Sequence, residues 1–251
     1  LLTAERNDIE RIAFLIDETK KMKIEVLPPD INESFSNFSV VPGKNQIRFG
    51  LLAIKNVGEG IVESIIEERK QNGPYLSMQD FITRISSSNL NKKSLESLIK
   101  TGAFDAFADR GKLLFNLESL LEVARESFKM QNGAQQSLFK AAKQAPAQFV
   151  LLEAEELDES VKLQWEKELL GLCVSSHPLE SVKNILEKRA FCIGKIVGTQ
   201  QSAGDLDPRI RIGGIISSIK RILTKAGKPM LFLALEDLTD KIEVVVFPSV
   251  I

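Results

Sequence analysis

The sequence predicts a multidomain, mainly α chain: a tandem helix-hairpin-helix domain with a short β-hairpin, followed by a truncated OB-type β-barrel. Three observations predict it. Two stretches about thirty residues apart repeat the scheme of helix, glycine turn and helix. Toward the end of the chain the apolar period changes from the helical 3.6 to the strand period of two. A length of 251 residues, 43% apolar and 27% charged, suffices for two cores and excludes a collagen-like, disulfide-scaffold or wholly disordered chain.

In chain order, residues 1–24 read as a helix or helix pair with Ile9, Ile12, Ala13, Leu15 and Ile16 on one stripe, stopped before Pro28-Pro29. Phe38 to Gly50 carries the alternation and the Pro42-Gly43 turn of a short hairpin. Leu51, Leu52 and Ile54 form a short apolar run that halts at Val57-Gly58-Glu59-Gly60. The run resumes at Ile61, Val62, Ile65 and Ile66, and Gly73-Pro74 closes it. Residues 90–107 repeat the scheme with Lys100-Thr101-Gly102-Ala103 at the turn. One long helix is expected from Gly111 to Met130, then a polar stretch from Gln131 to Ala147. An acidic helix follows, with Val161, Trp165 and Leu169 as its stripe, ending at Gly171. His177 before Pro178 marks another helix start, and three strands follow at Ile210–Ile222, Met230–Leu235 and Ile242–Phe247.

Charge separates these regions. The net charge is −1, yet residues 41–100 hold nine bases against six acids, whereas residues 153–189 hold nine acids against five bases. A polyanion is expected to meet the first. The two cysteines, Cys173 and Cys192, with a single histidine, cannot assemble a four-ligand zinc site and are expected as reduced core thiols. No apolar run approaches the ~20 residues of a membrane span, and no leader-like segment opens the chain, so a soluble cytoplasmic protein is expected. A first residue other than Met and a strand at the last residues suggest an excised or partial chain.

Three constellations carry chemistry. At the first glycine turn, backbone N–H groups and the start of the following helix suit a phosphate, with Lys55, Asn56, Val57, Gly58 and Gly60 around them. The second turn adds Lys92, Lys93, Lys100, Thr101 and Gly102, so that two units hold both backbones of a duplex without reading bases. The bland alternative is a pair of helix connections that need glycine for positive φ. Gln135, Gln136, Ser137, Leu138 and Phe139 place two apolar anchors in a polar stretch, the form of a docking peptide; otherwise the pair is a satellite of the core. Lys220, Arg221, Lys225 and Lys228, with Phe232, cluster near the first strand turn and suit single-stranded nucleic acid, against the plainer reading of a solvated hairpin. No catalytic set appears: His177 has no serine and acid arranged about it, no Gly-Lys-Ser/Thr phosphate loop occurs, and no aspartate pair suits two metals.

In this order, tandem helix-hairpin-helix, Gln-x-Ser-Leu-Phe, the stretch from Trp165-Glu-Lys-Glu-Leu-Leu-Gly to His177-Pro-Leu179, then OB-type strands, the chain resembles the C-terminal part of bacterial DNA polymerase III alpha subunits over essentially its whole length. Pro28-Pro29-Asp30-Ile31-Asn32 looks like the segment that follows the fingers in that family. The resemblance implies that residues 1–29 are the last helices of the fingers and 30–110 the duplex-binding domain. It makes 111–190 a helical region with a clamp-docking loop at 131–147, and 191–251 a linker with the first three strands of an OB-fold. Gln135 to Phe139 would dock on the sliding clamp, the beta subunit, with Gln136 where many members carry leucine. Other replicase subunits and single-stranded template are further implied partners. The implied parent is a DNA-directed DNA polymerase, a nucleotidyltransferase, whose Mg-binding palm aspartates lie upstream of residue 1. This segment, with no cofactor of its own, is not expected to polymerise alone. Two rivals stay open: the corresponding part of a DNA ligase, although no Lys-x-Asp-Gly motif is present, and a non-enzymatic helical interaction protein.

Overall fold

A computed structural model describes residues 1–5, 8–85, 90–132, 150–198, 209–225 and 227–250. The chain divides into two compact units, Leu1–Ser175 and Ser176–Ile251. The segments expected as 1–29, 30–110 and the greater part of 111–190 thus share the first unit.

In the first unit, α1 (Ile9–Lys21) starts where the Asp8 side chain accepts the Arg11 N–H at 3.0 Å, and it buries Ile12 and Ile16. The expected hairpin forms between β2 (Ser39–Val40) and β3 (Gln46–Arg48), but β3 also pairs in parallel with β1 (Glu25–Leu27). That parallel strand was not legible, because three residues are too few to show a period. Past it, the Asp30 carboxylate collects the Asn32 and Glu33 N–H groups, and Asn32 in turn brackets the backbone of Tyr75. The chain then passes so close to itself at Gly50 that a Cβ there would lie 2.5 Å from the Asn37 carbonyl carbon.

The first repeat begins as a single 3-10 turn, Leu51–Ala53, and continues as α2 (Glu59–Asn72). α3 (Met78–Arg84) and α4 (Lys92–Lys100) follow, capped by Ser77 and by an Asn91–Ser94 capping box. Tyr75, Phe81 and Phe104 stack edge to face at 5.1 and 4.8 Å in the middle of the core.

The helix expected over 111–130 is two, α5 (Arg110–Phe115) and α6 (Leu117–Asn132). The break falls at Asn116, which is buried and turns its amide to both backbone groups of Leu152 at 2.9 and 3.0 Å. α7 (Glu159–Leu170) buries Leu163, Glu166, Leu169 and Leu170, so the stripe expected through Val161 and Trp165 is rotated from the true buried face.

Near the start of the second unit His177 Nδ1 accepts the Leu179 N–H at 3.1 Å, but the helix expected from Pro178 begins later, after a 3-10 turn at Glu180–Val182. α8 (Lys183–Arg189) and α9 (Ile193–Gly198) lead to an antiparallel meander of β4 (Ile215–Leu223), β5 (Pro229–Glu236) and β6 (Lys241–Val246). The second and third strands stand within a residue of where expected and the first starts at Ile215 rather than Ile210. Together they form an open sheet and not a barrel, since closure needs about five strands. Asp237 fixes its last turn. Burial pushes this carboxyl up, but the Thr239 hydroxyl and the N–H groups of Ile193, Asp240 and Thr239 outweigh burial and hold it below its ordinary value. Cys173 and Cys192 form no disulfide and are half-buried rather than core thiols. Among the described residues no helix is long and apolar enough to cross a membrane.

Candidate nucleic-acid interface

Ile54 and Val57 are buried and anchor the first turn to the core, together with Ile61, Val62 and Ile65 of α2. Between the anchors, Lys55 and Asn56 stand exposed. Asn56, at a φ of +67°, takes the left-handed position that the sequence suggested for glycine. The Lys55 N–H donates to the Leu169 carbonyl at 3.1 Å, and Asn56 Nδ2 to Ser97 Oγ at 3.2 Å, so the turn is held from α7 and from α4.

Gly58 is the N-cap of α2 with an ordinary φ of −88°. A Cβ at this position would meet nothing within 4 Å, so neither backbone conformation nor packing calls for glycine. Its consequence is at the helix start, where no side chain caps α2. Side chains of Asp8, Ser77, Asn91, Asp109 and Asp158 cap α1, α3, α4, α5 and α7. The first N–H groups of α2 are therefore left to an outside acceptor, and the helix dipole favours an anion there. Gly60 lies in the first helical turn, its carbonyl accepting from Ser64 Oγ at 2.8 Å. Glu59, exposed beside it, places a negative charge that opposes an anion at this helix start.

The second turn differs from expectation. Lys92 and Lys93 open α4 whereas Lys100, Thr101 and Gly102 close it, so they lie roughly 12 Å apart along the helix. Lys92 pairs with Glu118, which raises the lysine's pKa and lowers the glutamate's. Lys100 pairs with Glu96 at 2.6 Å and sits 5.4 Å from the Trp165 ring centre. Thr101 is fully buried, its hydroxyl donating to the Ser97 carbonyl at 2.8 Å. Gly102, also buried, lies beneath Arg110. This turn is an interior joint, and of the five residues expected there only Lys93 is exposed with no ion pair among the described residues.

Arg110 and Glu166 were missed. They form a buried pair, Nη1 to Oε1 at 2.8 Å with 3% and 0% of the side chains exposed. Burial works against the Arg110 charge, but Asp105 and Glu166 outweigh it and raise its pKa. A signal existed: Glu166 sits three residues after Leu163 and four before Leu170, an acid on the buried face that demands a partner.

In the sheet, Lys220 and Phe232 are register partners, and they line a shallow depression of about 370 Å³ with Ser218, Ile222, Ala234 and Glu243. Arg221 pairs with Leu231 and projects from the opposite face. Lys225 and Lys228 are exposed in the connecting turn. The expected basic cluster is thus divided between two faces and a loop. Gln135, Gln136, Ser137, Leu138 and Phe139 lie outside the described residues. Among the described residues no group of three or more His, Cys, Asp or Glu is placed to hold a metal.

The fold and its first turn define the class: residues 23–113 match the family described as helix-hairpin-helix motif. Over a longer span the chain is 39% identical to DNA polymerase III subunit alpha of Thermus aquaticus, across 98% of this chain and 20% of that protein. It is 39% identical to the subunit of Borreliella burgdorferi, across 98% of this chain and 21% of that one. It is 43% identical to that of Campylobacter jejuni, across 72% and 15%. Over nearly all of its length the chain is a relative of DNA polymerase III subunit alpha, and it spans about a fifth of the length of the curated relatives it matches.

Proposed function

We propose that the chain is a non-catalytic portion of a replicative DNA polymerase that grips the backbones of duplex DNA. The uncapped start of α2 carries the reading. There Gly58 leaves the helix N–H groups open although the fold does not require a glycine, and Lys55 stands beside them without an ion pair among the described residues. Contacts of this kind read no bases, so binding is sequence-independent and steeply salt-dependent. The polymerising chemistry, with its Mg, belongs in this reading to a palm outside the chain, in a cytoplasmic replicase with further subunits. Titration of duplex into the chain at several salt concentrations tests the grip. Lys55→Ala and Lys93→Ala should each lower the slope of log affinity against log salt by about 0.9, the share of one phosphate. Lys92→Ala and Lys100→Ala should lower it less, because Glu118 and Glu96 already occupy those charges. An unchanged slope in all four rejects the duplex assignment.

Two finer roles belong to the same proposal. Gln135 to Phe139 docks on the sliding clamp, with Leu138 and Phe139 as anchors and an affinity in the ~micromolar range, because a short peptide orders on binding. In a clamp titration, Leu138→Ala with Phe139→Ala should lose roughly 2 kcal/mol or more without lowering thermal stability. Wild-type chain that shows no clamp binding removes this role. The sheet of β4, β5 and β6 begins an OB-fold for single-stranded template, with Lys220 and Phe232 on its contact face; the support is their shared face. Phe232→Ala should weaken oligonucleotide binding, and an unaltered affinity would remove it from that surface.

A further inference from the structure

We infer that Glu166 is a positioning residue for the duplex grip, acting through α7 on the turn that carries Lys55. The inference rests on the proposed duplex reading and adds to it a determinant outside both glycine turns.

Every part of the Glu166 carboxylate is engaged. Oε1 takes Arg110 Nη1 at 2.8 Å, and Oε2 takes the N–H groups of Val174 and Ser175 at 2.7 and 3.0 Å. Through Arg110 it reaches the second turn: Nη1 also donates to the Lys100 carbonyl at 3.1 Å, and Nη2 to Asp105 at 2.8 Å. Gly102 is the residue that lets the guanidinium lie there, since a Cβ on it would come within 2.4 Å of Nη2. One helical turn after Glu166, the Leu169 carbonyl accepts the Lys55 N–H. A single helix thus holds the interior joint at the end of α4 with one residue and the exposed turn before α2 with another. Because buried charges permit few alternative arrangements, the pair fixes the register of α7 rather than adding net stability. The Leu169 carbonyl then determines where the Lys55 backbone, and with it the open start of α2, is presented.

A double-mutant cycle on the whole chain tests this. Duplex affinity and its salt slope are measured for wild type, Glu166→Gln, Lys55→Ala and the double variant, with thermal melting alongside. Glu166→Gln is expected to melt cooperatively and to lower the salt slope as Lys55→Ala does, and the double variant should show little further loss. Additive losses, or a Glu166→Gln slope equal to wild type while Lys55→Ala lowers it, would overturn the positioning role and leave the duplex reading intact. A Lys55→Ala slope equal to wild type would instead remove Lys55 from the grip, and this inference with it; only if the slopes of Lys93→Ala, Lys92→Ala and Lys100→Ala were unchanged as well would the duplex reading fall. If Glu166→Gln does not melt cooperatively, Arg110→Lys, which keeps the charge but loses the fork, is put through the same cycle under the same criteria.

Discussion

A methyl group added at Gly102 would press into the Arg110 guanidinium, and the φ of +83° at that position resists any side chain. Gly102→Ala should therefore cost about 2 kcal/mol or more, from the left-handed backbone and from displacing a buried, paired charge. Gly58 has neither constraint, so its substitution separates fold from function. Gly58→Ser supplies α2 with the cap it lacks and should leave thermal stability unchanged or raise it by a few tenths of a kcal/mol. The same hydroxyl would occupy the N–H groups proposed to hold a phosphate, so duplex affinity should fall. Melting temperature and duplex affinity moving in opposite directions is the expected signature. A Gly58→Ser chain that binds duplex as tightly as wild type would remove the first turn from the interface.

At the scale of elements, strong local patterns were legible and long-range partners were not. The glycine turns, α2, α4 and the three late strands follow from apolar spacing and turn residues, which act within a few positions of the chain. The single helix expected over 111–130 failed at Asn116 because its amide is satisfied by Leu152, 36 residues away, which outweighs the local helical preference. β1 was invisible for the same reason, since its pairing with β3 is parallel and crosses the β2 hairpin. Lys55, Asn56 and Gly58 lie together on an exposed turn, whereas Thr101 and Gly102 are buried; sequence spacing cannot tell a turn facing solvent from one facing Arg110. Lys92 and Lys93 open α4 while the turn follows its other end, a matter of which helix terminus a residue occupies rather than of residue type.

Across the whole chain the two units bury unequal amounts of apolar surface. Nearly every apolar side chain that is fully buried among the described residues belongs to the first unit; the second contributes Leu179 and Ile193. β4 is exposed at every residue after Ile215, with Ile219 and Leu223 at 63% and 68%. The register places Ile219, Leu231, Leu233, Ile242, Val244 and Val246 on one face, and none of them is fully buried. At about 25 cal/mol per Å² of apolar surface, a face that is only half covered forgoes part of the main term that would hold the strands together. Opening of the sheet should then require less free energy than opening of the helical core around Phe81 and Phe104. Amide exchange in the meander of 215–246 is expected to be at least ten-fold faster than in 92–104, a difference of about 1.4 kcal/mol in opening energy. Equal protection in the two segments would mean that three strands with a half-covered apolar face are as stable as a fully buried core, contrary to what their burial implies.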